Sequence, residues 1–193
     1  MSFSNDLDSK PLFKGKVYRT KPFKEICDNN PKFEQLFQEF KTYWQYGPHP
    51  LFGKDDLFAR PIEAIDYHIR HVHFNNQKYT PENSDKDKRG KESNWNNWAD
   101  LIAMNSPSEL IEQRRFKTPT SDSYIVYSVN EHRHSIVMAV ISDNAHDKTK
   151  KSHIMESFVQ TTFETTINKG IKPFPSDCYP FDDAYLNNNQ STI

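Results

Sequence analysis

Histidine is the residue type through which this chain could do chemistry, since the sequence contains eight of them. Two, His71 and His73, lie in the segment Asp66–Phe74, whose alternating pattern predicts a β-strand. Residues two apart in a strand share one face and lie about 6.6 Å apart along it. At that spacing two imidazoles can flank a phosphate, one as a base and one as an acid, or supply two ligands of a metal site. A purely structural role for half-buried histidines stays equally open.

A second group of polar residues surrounds the start of the predicted last helix. His146 follows the apolar strand predicted at Ser135–Ser142, and Lys148 comes two residues later. A helix N-terminus favours anions through its free N–H groups and its dipole, so His146 and Lys148 could hold a phosphate there. Asp122, at the start of the preceding strand, could orient a histidine or simply cap a turn.

Other common catalytic patterns are missing from the sequence. It has no P-loop, no dinucleotide-binding glycine motif and no Gly-x-Ser-x-Gly, and 5 glycines provide little material for phosphate-binding loops. The two cysteines show no metal-type spacing and are expected to be free thiols. No carboxylate stands at a recognisable ligand spacing, so a metal-dependent hydrolase using His71, His73 and His146 ranks last among the interpretations.

Charge and hydropathy narrow the class of protein. The net charge is −1, from 25 basic and 26 acidic residues, which excludes the bulk polycationic character of many nucleic-acid binders. Positive charge still clusters between Lys10 and Lys24, where no acidic residue occurs, and again at Lys148–Lys151. Each cluster can be an interaction surface or a solvated face. The longest apolar run, Ile136–Ile141, is far too short to span a bilayer and no signal segment is visible, so we expect a cytoplasmic protein without membrane contact.

The elements that must position these residues alternate between helices and strands. Aromatic residues at three- and four-residue spacing predict a helix from Asn30 to Gly47. A second helix is predicted to begin near Asp147 or Thr149 and to end at Gly170, whereas residues 48–61 have the composition of a turn-rich connection. Strands are predicted at Lys16–Lys21, Asp66–Phe74, Tyr124–Val129 and Ser135–Ser142, the last two joined by a hairpin. The sequence therefore predicts an α+β fold in which a small, mainly antiparallel sheet buries one face against helices.

Composition also divides the chain into one domain with polar appendages. Residues 1–15 are expected to form a flexible leader, residues 16–170 a single catalytic domain, and residues 171–193 a tail. Residues 75–97 are rich in Asn, Lys, Asp and Ser, which is typical of an excursion from the packed fold.

Several separated segments together resemble the YafO family, the toxin components of bacterial type II toxin–antitoxin pairs. In chain order, the segments that carry the resemblance are Val17–Lys21, Leu51–Asp55, His71–Phe74, Thr120–Asp122, Ile125–Tyr127, Ile136–Ile141, His146 and Met155. The resemblance extends from Lys16 to Glu164, and residues 75–114 form an insertion relative to the family. An arginine expected before Thr120 is missing, and Arg115 or Lys117 could replace it as a phosphate-binding cation.

The resemblance implies a RelE-like fold and an mRNA interferase, an endoribonuclease that cleaves translated mRNA on the ribosome and is silenced by a cognate antitoxin. The implied chemistry uses neither metal nor cofactor: the RNA 2′-hydroxyl attacks its own phosphate with acid–base help from His71 and His73. Asp122 would then orient one histidine, His146 and Lys148 would hold the phosphate, and Tyr127 would stack on a base.

The interpretation as a ribosome-dependent toxin gives a role to the basic run between Lys14 and Lys24, because a net charge of −1 gives little attraction to free RNA. Contacts to ribosomal RNA are expected from Lys14, Lys16, Arg19, Lys21 and Lys24. A non-catalytic RNA- or protein-binding module is the alternative interpretation, and the near-neutral charge favours it.

Overall fold

A five-stranded sheet forms the centre of the fold in a computed structural model that describes residues 10–85, 87–106, 109–110 and 118–187. The strands are β1 (Val17–Arg19), β2 (Phe52–Leu57), β3 (Ile69–Phe74), β4 (Tyr124–Val129) and β5 (Ser135–Ile141). Their order is β1-β5-β4-β3-β2; β1 runs parallel to β5 and the other neighbours are antiparallel. The predicted α+β class with a mainly antiparallel sheet is confirmed.

Helices precede the sheet, interrupt it and close it. They are α1 (Lys21–Asp28), α2 (Pro31–Tyr46), α3 (Ile62–Asp66), α4 (Glu92–Met104), α5 (Ala145–Thr149) and α6 (Ser152–Thr165). The predicted helix α2 is confirmed, and its ends follow from the sequence. The Asn30 side chain accepts a hydrogen bond from the Lys32 amide at the start, and Gly47 ends the helix at a φ of 92°.

Both faces of the sheet are buried, where the sequence predicted one. Helices α1 and α2 cover the first face, on which Phe40 and Trp44 pack against Phe52 and Tyr127. Helix α6 covers the second face. Its buried side chains Met155 and Phe158 form one cluster with Ile69, Val126 and Met138 of the sheet. The second face also carries His71 and His73, so α6 is the element that sets their surroundings.

Strand β2 occupies the middle of the segment predicted as a turn-rich connection. Its sequence, FGKDDL, contains a glycine and two consecutive acidic residues, which are rare in strands. Pairing with β3 overrides this local preference, because the buried Asp55 carboxylate accepts a hydrogen bond from Arg70 Nε at 3.0 Å. Strand β3 starts at Ile69, three residues later than predicted, because α3 extends to Asp66.

Parts of the predicted leader and tail belong to the hydrophobic core. Phe13 is buried, and so are Phe174 and Phe181 from the segment expected to be a tail. Arg133 is only 1% exposed, and its guanidinium lies over the rings of Phe13, Trp44 and Phe181 at 4.3–4.9 Å. It also donates hydrogen bonds to the backbone carbonyls of residues 14, 44 and 180. Through Arg133, the backbone at residues 14 and 180, near the two ends of the described chain, is hydrogen-bonded to the β4–β5 hairpin.

Helix α4 anchors the segment predicted as an insertion. Trp98 Nε1 donates to the Phe52 carbonyl at 2.8 Å, and Trp95 Nε1 donates to the Thr120 carbonyl at 3.2 Å. Both indoles are buried, so this part of the insertion packs onto the domain next to β2. Arg115 and Lys117 lie outside the described residues.

Candidate active site

A cleft of about 690 Å³ opens between the β2–α3 connection, strands β3 and β4, and the start of α6. The lining residues with ionisable side chains are Asp56, Arg60, His71, Tyr124, His146, Lys150 and Glu156. Two of the predicted catalytic residues, His71 and His146, therefore meet in one cavity although 75 positions separate them in the sequence. A cleft with two imidazoles and two cations is suited to binding and reacting with a phosphate group.

The ring of His71 is held between two aromatic rings. Its centroid lies 4.4 Å from that of Phe58 and 4.5 Å from that of Tyr124. Burial is the main cause that lowers the pKa of His71 to about 3, and the neighbouring His73 adds to the effect. Nδ1 is buried and has no hydrogen-bond partner among the described residues. His71 is consequently neutral at physiological pH.

His73 shares the strand face of His71, as the alternation predicted, but does not line the cleft. The two ring centroids lie 5.4 Å apart, and His73 also meets Tyr124 edge to face. Its Nδ1 lies 2.6 Å from the Ser121 carbonyl oxygen and 2.9 Å from the Ser121 amide nitrogen. Burial lowers the pKa of His73 to about 4. His73 thus supports the wall behind His71 rather than facing the cavity.

Asp122 caps a helix instead of orienting an imidazole. Its Oδ1 accepts a hydrogen bond from the His146 amide at 2.8 Å, and its carbonyl accepts one from the Ala145 amide at 3.2 Å. The carboxylate therefore occupies the end of α5, where the sequence suggested a phosphate-binding site. That part of the prediction is wrong, because a negative group already satisfies the amide. The cap still determines where the His146 side chain enters the cleft.

The cation of the cleft also differs from the prediction. Lys148 is exposed but does not line the cavity, whereas Lys150, two residues later, does. Arg60, between β2 and α3, provides a second positive charge and forms no salt bridge with a described residue. No motif marked Arg60 in the sequence, while Lys150 belonged to the basic group Lys148–Lys151.

Tyr127 cannot stack on an RNA base, and this prediction is wrong. The side chain is completely buried on the sheet face opposite the cleft, where its hydroxyl donates to Asp55 Oδ2 at 2.6 Å. The ring that lines the cleft is Tyr124, three residues earlier. Burial raises the pKa of Tyr124 to about 12, so its hydroxyl stays protonated.

A comparison with known protein families places the chain. Residues 38–164 match the family described as Toxin YafO, type II toxin–antitoxin system, which is more than half of the 193 residues. The chain belongs to the YafO toxin family. It is therefore the toxin of a type II toxin–antitoxin pair, and a cognate antitoxin is its partner. Neither curated proteins nor solved structures gave a match.

The cleft lies entirely inside the matched part of the toxin. Strand β1, helix α1 and the basic run between Lys14 and Lys24 lie before that part. Of the five predicted ribosome contacts, two are engaged within the fold: Arg19 pairs with Glu34 beneath the ring of Phe37, and Lys24 pairs with Asp28 at 2.6 Å. Lys14, Lys16 and Lys21 are exposed.

Among the described residues of the toxin, no three His, Cys, Asp or Glu side chains are grouped so that they could hold a metal ion. No described helix is long and apolar enough to cross a membrane.

The buried histidines of the toxin make its stability depend on pH. Burial lowers the pKa of His68 and His71 to about 3 and that of His49 and His73 to about 4, against about 6.5 in an unfolded chain. Below pH 6.5 the unfolded chain therefore binds more protons, and each group costs about 1.4 kcal/mol of unfolding free energy per pH unit down to its folded pKa. Urea unfolding at pH 7.5, 6 and 5 should show a steep loss of stability. Equal stability at pH 7.5 and 5 would contradict the buried, neutral state of these rings.

Proposed function

We propose that this toxin is a ribosome-dependent endoribonuclease, an mRNA interferase, and that the cleft is its active site. The observation that carries the proposal is the meeting of His71 and His146 with Arg60 and Lys150 in one cavity. RNA cleavage by internal attack needs a base, an acid and a cation near one phosphate, and this set supplies all three.

In this mechanism His71 is the base. The neutral ring takes the proton of the 2′-hydroxyl while that oxygen bonds to the adjacent phosphorus. The bond from phosphorus to the 5′ oxygen of the next nucleotide breaks, and that oxygen receives a proton from His146. The products are a 2′,3′-cyclic phosphate and a free 5′-hydroxyl. A bound phosphate next to His71 favours the protonated ring and so opposes the effect of burial on its pKa.

The remaining predicted residues act by positioning. His73 packs against Tyr124, the same ring that stacks on His71, and is itself tied to the Ser121 backbone. Asp122 holds the backbone of His146.

Arg60 and Lys150 would stabilise the charge that develops on the phosphate, a task for which the planar guanidinium of arginine is well shaped.

Dependence on the ribosome agrees with the charges of the toxin. Asp56 and Glu156 line the cleft beside the cations, and the whole chain carries a net charge of −1. Long-range attraction of free RNA is therefore weak, and binding should fall steeply with salt. A ribosome that presents an ordered mRNA segment would replace this missing attraction.

The test combines cells and purified ribosomes. Expression of the toxin should arrest growth, and co-expression of the cognate antitoxin should relieve the arrest. Primer extension on mRNA from translating ribosomes should reveal new ends, whereas the same mRNA without ribosomes should stay intact. Growth arrest without any new mRNA ends would favour the non-catalytic binding module instead. Efficient cutting of the naked mRNA would contradict ribosome dependence.

Independence from metal is tested on the toxin alone. The purified chain is treated with a chelator, the chelator is removed, and ribosomes in their normal magnesium buffer are added afterwards. Cleavage should be unchanged, because the proposed proton transfers use side chains only. Activity lost on treatment and restored specifically by zinc would favour a metal-dependent hydrolase.

A further inference from the structure

Three rings lie together at the β1 edge of the sheet, outside the cleft: those of Tyr18 and His132 are exposed, and that of His134 is half-buried. The Tyr18 side chain, 47% exposed, has its ring centroid 5.6 Å from that of His134, and His134 lies 5.8 Å from His132 in the β4–β5 hairpin. The Lys16 amide donates to His134 Nδ1 at 3.1 Å, which orients the imidazole. Burial, together with the charges of His132 and Lys16, lowers the pKa of His134.

Unpaired positive charge accompanies these rings. Lys14 and Lys16 are exposed, and neither forms a salt bridge with a described residue. Glu131, the acidic residue of the same hairpin, accepts a hydrogen bond from the Lys172 amide at 3.0 Å. We call Lys14, Lys16, Tyr18, His132 and His134 the hairpin surface.

The hairpin surface is linked to the cleft through the register of the sheet. Tyr18 pairs with Ile136, Ile136 with Ser128, and Ser128 with Ile69, two residues before His71. Paired residues share a face, so the Tyr18 side chain leaves the sheet on the same face as His71. Three strand spacings separate β1 from β3, or about 14 Å. One partner of ribosomal size could therefore contact both regions.

We propose that the hairpin surface docks ribosomal RNA, with unpaired bases stacking on the rings and phosphates bound by Lys14 and Lys16. Aromatic rings interleaved with cations are the usual means by which proteins bind single-stranded RNA. Charge complementarity favours RNA as the occupant, because Lys14, Lys16 and the neighbouring Lys172 are exposed lysines, against one exposed acidic residue of the hairpin, Glu131. The proposal rests on the ribosome dependence proposed above and adds Tyr18, His132 and His134 to the expected lysine contacts.

The experiment measures co-sedimentation of the toxin with purified bacterial ribosomes, in a His71→Phe background that prevents cleavage. Two variants change the surface in different ways: Tyr18→Ala removes a ring, and the double variant Lys14→Glu/Lys16→Glu reverses two exposed charges. The control Lys32→Glu/Lys88→Glu makes the same change in net charge at exposed lysines elsewhere. Antitoxin binding is measured for every variant.

Tyr18→Ala should weaken ribosome binding about tenfold, the typical contribution of one stacked base. The double variant should weaken it as well, because two phosphate contacts are lost. The double variant should also flatten the dependence of log K on log salt by about 1.4, the value for two phosphate contacts to a single strand. The control should bind ribosomes as the parent does, and all variants should bind antitoxin equally.

Unchanged ribosome binding by both surface variants would overturn the proposal and leave the nuclease function standing. Loss of antitoxin binding with ribosome binding intact would assign the surface to the protein partner and would overturn it too. If the variants lose ribosome binding while the unmodified toxin cuts no mRNA, the docking surface stands and the nuclease function fails.

Discussion

Replacing His71 with phenylalanine is expected to lower the rate of mRNA cleavage on ribosomes by about 10²–10⁴-fold, the usual contribution of a general base. Phenylalanine keeps the aromatic packing between Phe58 and Tyr124 and removes the nitrogen atoms that accept the proton. His71→Phe should therefore fold, bind the antitoxin and fail to arrest growth. The rate is measured by primer extension at matched toxin and ribosome concentrations.

His153→Phe is the matched control, because this exposed histidine of α6 does not line the cleft. It should cleave at the unmodified rate. His73→Ala should also abolish toxicity, because Tyr124, which contacts His71, then loses its own contact with the His73 ring. A fully toxic His71→Phe variant would show that the assignment of the base is wrong.

Removing the Asp55 carboxylate is expected to cost about 3–5 kcal/mol of unfolding free energy, the typical cost of breaking a buried ion pair. The Asp55 side chain has no exposed surface, and Arg70, whose side chain is 4% exposed, would keep an uncompensated charge. The hydroxyls of Tyr43 and Tyr127, which both donate to Asp55 Oδ2 at 2.6 Å, would lose their acceptor as well. Urea unfolding of Asp55→Ala at pH 7.5 measures the loss.

The exposed pair Lys24–Asp28 provides the comparison. Asp28→Ala removes a salt bridge of 2.6 Å between side chains that are about half exposed, and it should cost less than about 1 kcal/mol. Equal effects of Asp55→Ala and Asp28→Ala would contradict the structural role of the buried pair. That role extends to the cleft, because Asp55 and Arg70 immediately adjoin Asp56 and His71, which face each other across β2 and β3.

Local sequence patterns determined the features that depend on one element at a time. The spacing of Phe37, Phe40 and Trp44 was enough to predict helix α2 and its buried side, because a helix repeats every 3.6 residues wherever it lies. Strand alternation likewise placed His71 and His73 on one face before any partner strand was known. The resemblance to YafO toxins rested on the order of such local segments, and the family match confirms it.

Only the tertiary structure decided which predicted residues face the cleft and which face the core. Tyr124 and Tyr127 lie three residues apart in one strand, so alternation alone puts them on opposite faces. Only the layers that cover the sheet show that the face of Tyr124 holds the cleft, whereas Tyr127 is buried against Phe40 and Trp44. Strand β2 has no strand signal of its own and forms because Arg70 is available to pair with Asp55. Long-range pairing and burial of this kind depend on residues far apart in the chain, and the periodicity of a single segment carries no information about them.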